Sequence, residues 1–216
     1  MRGAVNKAEM KKEDGGIPRP SRCACYAHRI ILDLCGGTGS WSRPYVEAGY
    51  DVRIVTLPTD DVRLYIPPDN VYGILAATPC DNFSIAKYFH CKGNYTHDFE
   101  AGLEVAAACC RIILTAQPKF WAIENPANSL LKKWLKEPAM IFQPWEYGDN
   151  YQKTTALWGK FNKPLPKTTE KPSGMVKFSM LKSKDIYPEY YGKYTRQERR
   201  AITPPGFAQA FFEANR

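Results

Sequence analysis

The chain has 216 residues, 44% of them hydrophobic, enough for one domain with a real core and a small appendage; no apolar run approaches the ~20 residues of a membrane-spanning helix. Thirty Lys and Arg against 22 Asp and Glu give a net charge of +8, a balance that permits a nucleic-acid partner without requiring one. Seven cysteines, an odd number that includes the adjacent Cys109 and Cys110, fit reduced thiols better than a disulfide framework, and the first residues lack the apolar core of a signal peptide, so a cytoplasmic protein is expected.

Residues 1–27 are polar and contain Gly and Pro, and a flexible extension is expected there. They hold Cys23 and Cys25, with His28 beyond, a weak spacing for zinc, and no metal is expected. "RIILDL", from Arg29, reads as a buried strand, "GGTGS" as a tight turn and "WSRPYVEAGY" as a short helix ended at Gly49. "DVRIVTL" and "VYGILAA" read as two more strands, and "YTHDFEAGLEVAAACCRIILTAQ" as a long helix closed before Pro118. "FWAIEN" is a fourth strand, a helix follows near "SLLKKWLK", and "MIFQPWEYG" and "TTALWG" read as further strands. Strands alternating with helices predict a doubly wound, mostly parallel α/β sheet, in which ligands sit beyond the carboxyl ends of the strands. From Lys160 to Arg200 there are eleven Lys or Arg against four Asp or Glu, with Tyr187, Tyr190, Tyr191 and Tyr194 among them. Basic residues interleaved with aromatics suit a phosphate backbone and exposed bases, although a solvated tail would look similar. "PPGFAQAFFEANR" reads as a closing amphipathic helix.

Three strand ends carry chemistry. Asp33 ends the first strand ahead of Gly36, Gly37 and Gly39, and such a turn lets backbone approach a ligand at a helix N-terminus. Its spacing is neither the dinucleotide fingerprint nor a P-loop, which favours a nucleoside cofactor over a triphosphate. Cys80 follows Pro79 where the third strand runs out. Glu124 and Asn125 end the fourth, and a buried carboxyl there would have a raised pKa, as a proton donor to a base ring needs. In a parallel sheet Asp33, Cys80 and Glu124 converge on one edge.

Together "DLCGGTGSW", "TPCDNFS", "ENP", "YGDNYQKTTALWG" and "TPPGFAQAFFEAN" resemble, in order, the conserved segments of DNA (cytosine-5)-methyltransferases, of the compact kind found in phage genomes. The resemblance covers roughly residues 29 to 216. It implies a Rossmann-like S-adenosylmethionine (SAM) fold with a very small C-terminal recognition insertion. The implied layout is a SAM-dependent catalytic domain over 28–160, a target-recognition segment over 161–200 and a returning helix over 201–216. It implies methyl, or another SAM-derived group such as carboxymethyl, placed on C5 of a cytosine that is flipped out of DNA or single-stranded. In that scheme Cys80 is the nucleophile at C6, Glu124 contacts and protonates N3, Asn125 braces the cysteine loop and Lys153 contacts the ring. The implied SAM site is Asp33, Leu34, Cys35, Gly36, Gly37, Gly39, Ser40 and Trp41 at the methionine end, Asp61 and Val62 at the adenine, with Pro79 and a closing Thr203. A monomer in the host cell of a phage is the accompanying expectation. An RNA cytosine-5 methyltransferase would use the same centre, and a SAM- or DNA-binding decoy without turnover is the other alternative.

The departures are local. Asp81 follows Pro-Cys where the family often has Gln, and Pro126 follows Glu-Asn where it has Val. Tyr151, Lys153 and Thr155 stand where the family has Q-x-R-x-R, so both arginines are gone. No acidic residue for the ribose is evident in "VTLPT".

Overall fold

The computed structural model describes residues 26–84 and 96–216. Cys23, Cys25 and nearly all of the expected extension lie outside the described residues, as does the stretch 85–95 beyond the Cys80 loop.

The apolar runs of the sequence become the strands β1 (Ile30–Leu34), β3 (Val71–Ala77) and β4 (Phe120–Pro126), while β2 (Asp51–Val55) is partly exposed. Parallel strands covered on both faces need side chains that are apolar on both, hence runs rather than alternation. With β5 (Met140–Phe142) and β7 (Thr155–Lys160) they form a six-stranded sheet in the order β2-β1-β3-β4-β7-β5. The first four strands are mutually parallel, and the chain changes direction of travel between β1 and β3, where such sheets leave a crevice. Strand β7 runs antiparallel to β4, with Thr155 opposite Pro126 and Leu157 opposite Glu124. It therefore starts at the edge where β4 ends.

Helices cover both faces. Helix α2 (Phe99–Ala116) buries Ala106, Cys109, Ile112 and Ile113 against one face; Asp98 caps its start by accepting from the Ala101 N–H, and Gln117 ends it at φ 45°. On the other face lie α1 (Arg43–Glu47) and α5 (Pro205–Ala214). Trp41, Tyr45, Phe207, Phe211 and Phe212 are buried between these helices and the sheet, with Phe207 stacked on Phe142 at 3.8 Å. Burying each such ring stabilises by ~2–3 kcal/mol, so the last turns of the chain belong to the core. Among the described residues no helix is long and apolar enough to cross a membrane.

The expected strand "MIFQPWEYG" holds only over β5. Pro144 cannot donate to a ladder, and Gln143 and Glu146 instead form a reciprocal cap that starts a 3₁₀ turn over Pro144–Tyr147. The "SLLKKWLK" helix shrinks to one turn, α3 (Lys132–Leu135).

The basic stretch is folded, though aperiodic. Strand β6 (Tyr151–Gln152) pairs in parallel with β8 (Val176–Lys177), and Tyr151, Phe178 and Ile186 form a small core. A helix not expected from the sequence, α4 (Arg196–Ala201), begins at a Thr195–Glu198 capping box. Its Arg199 is 3% exposed, and the guanidinium donates to the carbonyls of Ser183, Ile186 and Tyr194 and to the Ser183 hydroxyl. Four hydrogen bonds from one rigid guanidinium thus close loops that have no ladder of their own.

Candidate active site

Register places the candidates. Ala77 of β3 lies opposite Glu124 of β4, so the Thr78-Pro79-Cys80 loop leaves the sheet beside that carboxylate. Asn125 is fully buried, and its side-chain amide donates to the Thr78 carbonyl at 2.9 Å and the Thr78 hydroxyl at 3.0 Å. The loop is held further on by the Phe83 N–H donating to the Cys80 carbonyl and by the Phe83 carbonyl accepting from the Leu130 N–H. Phe83 itself is completely buried. The turn that presents Cys80 is thereby fixed from both sides, with Pro79 exposed at its tip.

The electrostatics of this edge are those of a thiol, a carboxyl and a cation in one neighbourhood. Burial, then the Glu124 carboxylate, push the Cys80 thiol above its ordinary pKa, and the Lys153 ammonium pulls it back. Burial raises the Glu124 carboxyl as well, again opposed by Lys153. Lys153 arrives because β7 is antiparallel and starts at this edge. Its ammonium donates to the Arg200 carbonyl at 3.3 Å and faces the Phe178 ring at 5.5 Å. Cys80, the Glu124–Asn125 pair and Lys153 are therefore brought together from three points of the sequence.

The glycine turn forms a second group. Asp33 is fully buried, accepts a 2.5 Å hydrogen bond from Ser42 and is pushed up by burial to about 6. A Cβ on Gly36 would overlap that carboxylate, and one on Gly39, at φ 68°, would come within 2.6 Å of Ile54. Gly37, at φ 54°, faces open space, with nothing within 4 Å of where a Cβ would stand. Cys35 also takes positive φ, 57°, and a hydrogen bond with Cys109 lowers its thiol. The Thr203 N–H donates to the Ser40 hydroxyl at 2.8 Å, so the start of the last helix is tied to the turn 163 positions away. A cavity of about 160 Å³ opens there, lined by Thr38, Ser40 and Thr203 on one side and Tyr190 and Tyr194 on the other. Leu34, Trp41 and Val62 lie in the core beneath.

Asp61 lies within electrostatic reach of the Cys35 thiol at the glycine turn. Its carboxylate is gripped by Arg63 at 2.6–3.0 Å, and Arg63 also reaches Glu104, along an open cleft on the α2 side. Two residues near the thiol were not singled out from sequence: Thr78, which receives Asn125, and Arg200, whose charge lies near Cys80 and Asp81. The first could have been found from its place before Pro-Cys. The second gives no local signal.

A mostly parallel sheet between helices, with a thiol, a carboxyl and a glycine turn at its carboxyl edge, is compatible with a Rossmann-like methyltransferase. No family model matches the chain. It is 30% identical over 158 residues to the probable DNA (cytosine-5)-methyltransferase of frog virus 3 (isolate Goorha), a match spanning 64% of this chain and 73% of that protein. The chain belongs to the DNA (cytosine-5)-methyltransferase family.

Proposed function

We propose that this protein transfers a methyl group from SAM to C5 of cytosine in DNA, through a covalent bond between Cys80 and C6. The observation that carries the proposal is the assembly of Cys80, Glu124, Asn125 and Lys153 at one sheet edge. C5 of cytosine is too weak a nucleophile to attack a methyl sulfonium unaided. Addition of the Cys80 thiolate at C6 turns the ring into an enamine, nucleophilic at C5. Protonation at N3 by Glu124 drains charge from that addition, and burial, which raises this carboxyl, favours the protonated form the step uses. Asn125 keeps the thiol at a fixed height by holding Thr78. Lys153 steadies the ring with its positive charge. Loss of the C5 proton and of the thiolate then restores the aromatic base. A base stacked in a duplex cannot meet these groups, so the substrate is a flipped or single-stranded cytosine.

The glycine turn fits the donor. Bare backbone at Gly37 faces open space, and Ser40 and Thr203 close a cavity beside it. SAM, when bound there, supplies the electrophilic carbon. Both Asp61 oxygens already accept from Arg63, so in this proposal the adenine amino group shares that carboxylate with the guanidinium. Gly39→Val is expected to weaken SAM binding at least tenfold by calorimetry, because a side chain there both meets Ile54 and forces a left-handed backbone, a cost of ~1–2 kcal/mol from conformation alone. Unchanged affinity would move the donor elsewhere.

The basic segment, residues 161–200, is the DNA-facing element in this proposal, a short one that suits a compact phage-type enzyme of relaxed sequence preference. Nucleosides from DNA incubated with protein and SAM, measured by mass spectrometry, decide the function. 5-Methylcytosine is the expected product. Its absence alongside measurable SAM binding would leave a binding protein without turnover.

A further inference from the structure

The thiol that the proposed chemistry needs as a thiolate is half-buried and stands beside a carboxyl group, both of which disfavour ionisation. Lys153 alone answers two acids, Glu124 and Cys80. The structure brings up a second cation from an element distant in sequence. Helix α4 crosses the Cys80 loop: the Gln197 side-chain amide donates to Asp81, the residue after the thiol, at 3.3 Å. One turn further on, the Arg200 carbonyl accepts from the Lys153 ammonium at 3.3 Å. The Arg200 guanidinium lies over the Phe178 ring at 5.2 Å, the ring that Lys153 faces at 5.5 Å. It is half-buried, and among the described residues no acceptor takes a hydrogen bond from it. Its partner is therefore charge rather than a fixed hydrogen bond.

We propose that Arg200 is a positioning residue for the nucleophile, a cation delivered by α4 that favours the thiolate form of Cys80. Two cations on one aromatic ring repel each other unless anions face them, and Glu124, Asp81 and the Cys80 thiolate are the anions in reach. Arg200 loses hydration and suffers Arg196, while Cys80 and Asp81 hold its charge in place. A guanidinium suits the task because it remains charged in a partly dry site and lies over the Phe178 ring. Nucleophile activation then comes from the end of the same basic segment that Arg199 folds, so the segment proposed to meet DNA also conditions the thiol.

This inference rests on Cys80 being the nucleophile, but its test needs neither DNA nor SAM. The rate of Cys80 alkylation by iodoacetamide is followed against pH in the free protein, by mass spectrometry of the Cys80 peptide. In Arg200→Gln the apparent pKa should rise, with alkylation at pH 7.5 slowed about three- to tenfold. Arg200→Lys should keep most of the wild-type rate, because it keeps the charge. An Arg200→Gln profile that overlays the wild type, or an Arg200→Lys profile that matches Arg200→Gln, would overturn the proposal. A shifted thiol in a protein that never methylates DNA would instead sink the functional reading and leave this one standing.

Discussion

On DNA carrying 5-fluorocytosine, with SAM present, the wild-type protein is expected to form an adduct that survives denaturation, and Cys80→Ala to form none. Thiolate addition at C6 and methyl transfer to C5 proceed on the fluorinated ring as on cytosine. Fluorine cannot then leave C5 as a cation, so elimination fails and the Cys80–C6 bond persists. On ordinary DNA, Cys80→Ala should lose methyl transfer by about 10³-fold or more, the scale on which removing a nucleophile from a preorganised site acts. The turn should survive the substitution, since its anchors are Asn125 on Thr78 and the buried Phe83, neither of which uses the sulfur. SAM binding measured on the same variant separates lost chemistry from lost folding. An adduct retained by Cys80→Ala would place the nucleophile elsewhere.

The pH dependence should be unusual in shape. The productive form carries Cys80 as thiolate and Glu124 as acid. Both groups are raised, and the thiol titrates above the carboxyl. Between the two pKa values the main species is therefore thiol plus carboxylate, with the same number of protons as the productive form. Their ratio does not change with pH, so kcat/KM should be flat across that window. It should fall at lower pH, where Cys80 and Glu124 are both protonated, and at higher pH, where both are ionised. Glu124→Gln removes the acid and its titration. Its rate should be ~10²–10⁴-fold lower, since an amide cannot protonate N3. Cys80 also loses the carboxylate that helped raise it, while burial still holds it above its ordinary value, so the remaining activity should climb with pH without an alkaline fall up to about pH 9.5, below the lysine range. An alkaline limb that persists in Glu124→Gln would assign that titration to another group.

The strand ends were legible because of what a parallel sheet demands. "RIILDL", "VYGILAA" and "FWAIEN" had to be apolar on both faces, so Asp33, Cys80 and Glu124 stood out where each run stopped. The helical period of α2 and the aromatics of α5 were legible for the same reason, as faces that must be covered. The resemblance, rather than pattern, pointed to Lys153, and the antiparallel register of β7 accounts for its arrival. Residues 161–200 were opaque. Their order comes from a small core around Phe178 and Ile186, the two-residue β6–β8 pair and one buried guanidinium serving backbone carbonyls, contacts that leave no period. Arg200 was hidden with them. The grip of Arg63 on Asp61 was also missed, although a D-x-R spacing could have suggested it.

The strand order has a consequence for biosynthesis. Among the described residues strand β5 pairs with the sheet only through β7, which is made later, and β7 is what covers the outer edge of β4. A nascent chain that has reached residue 142 therefore carries a strand without a partner and an apolar strand with an open ladder, the features that recruit other chains into aggregates. Emergence of Thr155–Lys160 cures both at once by insertion between them. The same insertion carries Lys153 to the thiol, so the charge partner of Cys80 reaches it only in a chain whose sheet has closed. Truncations or stalled translation before residue 155 should thus leave an assembly hazard and an unactivated cysteine together, and never a soluble half-enzyme.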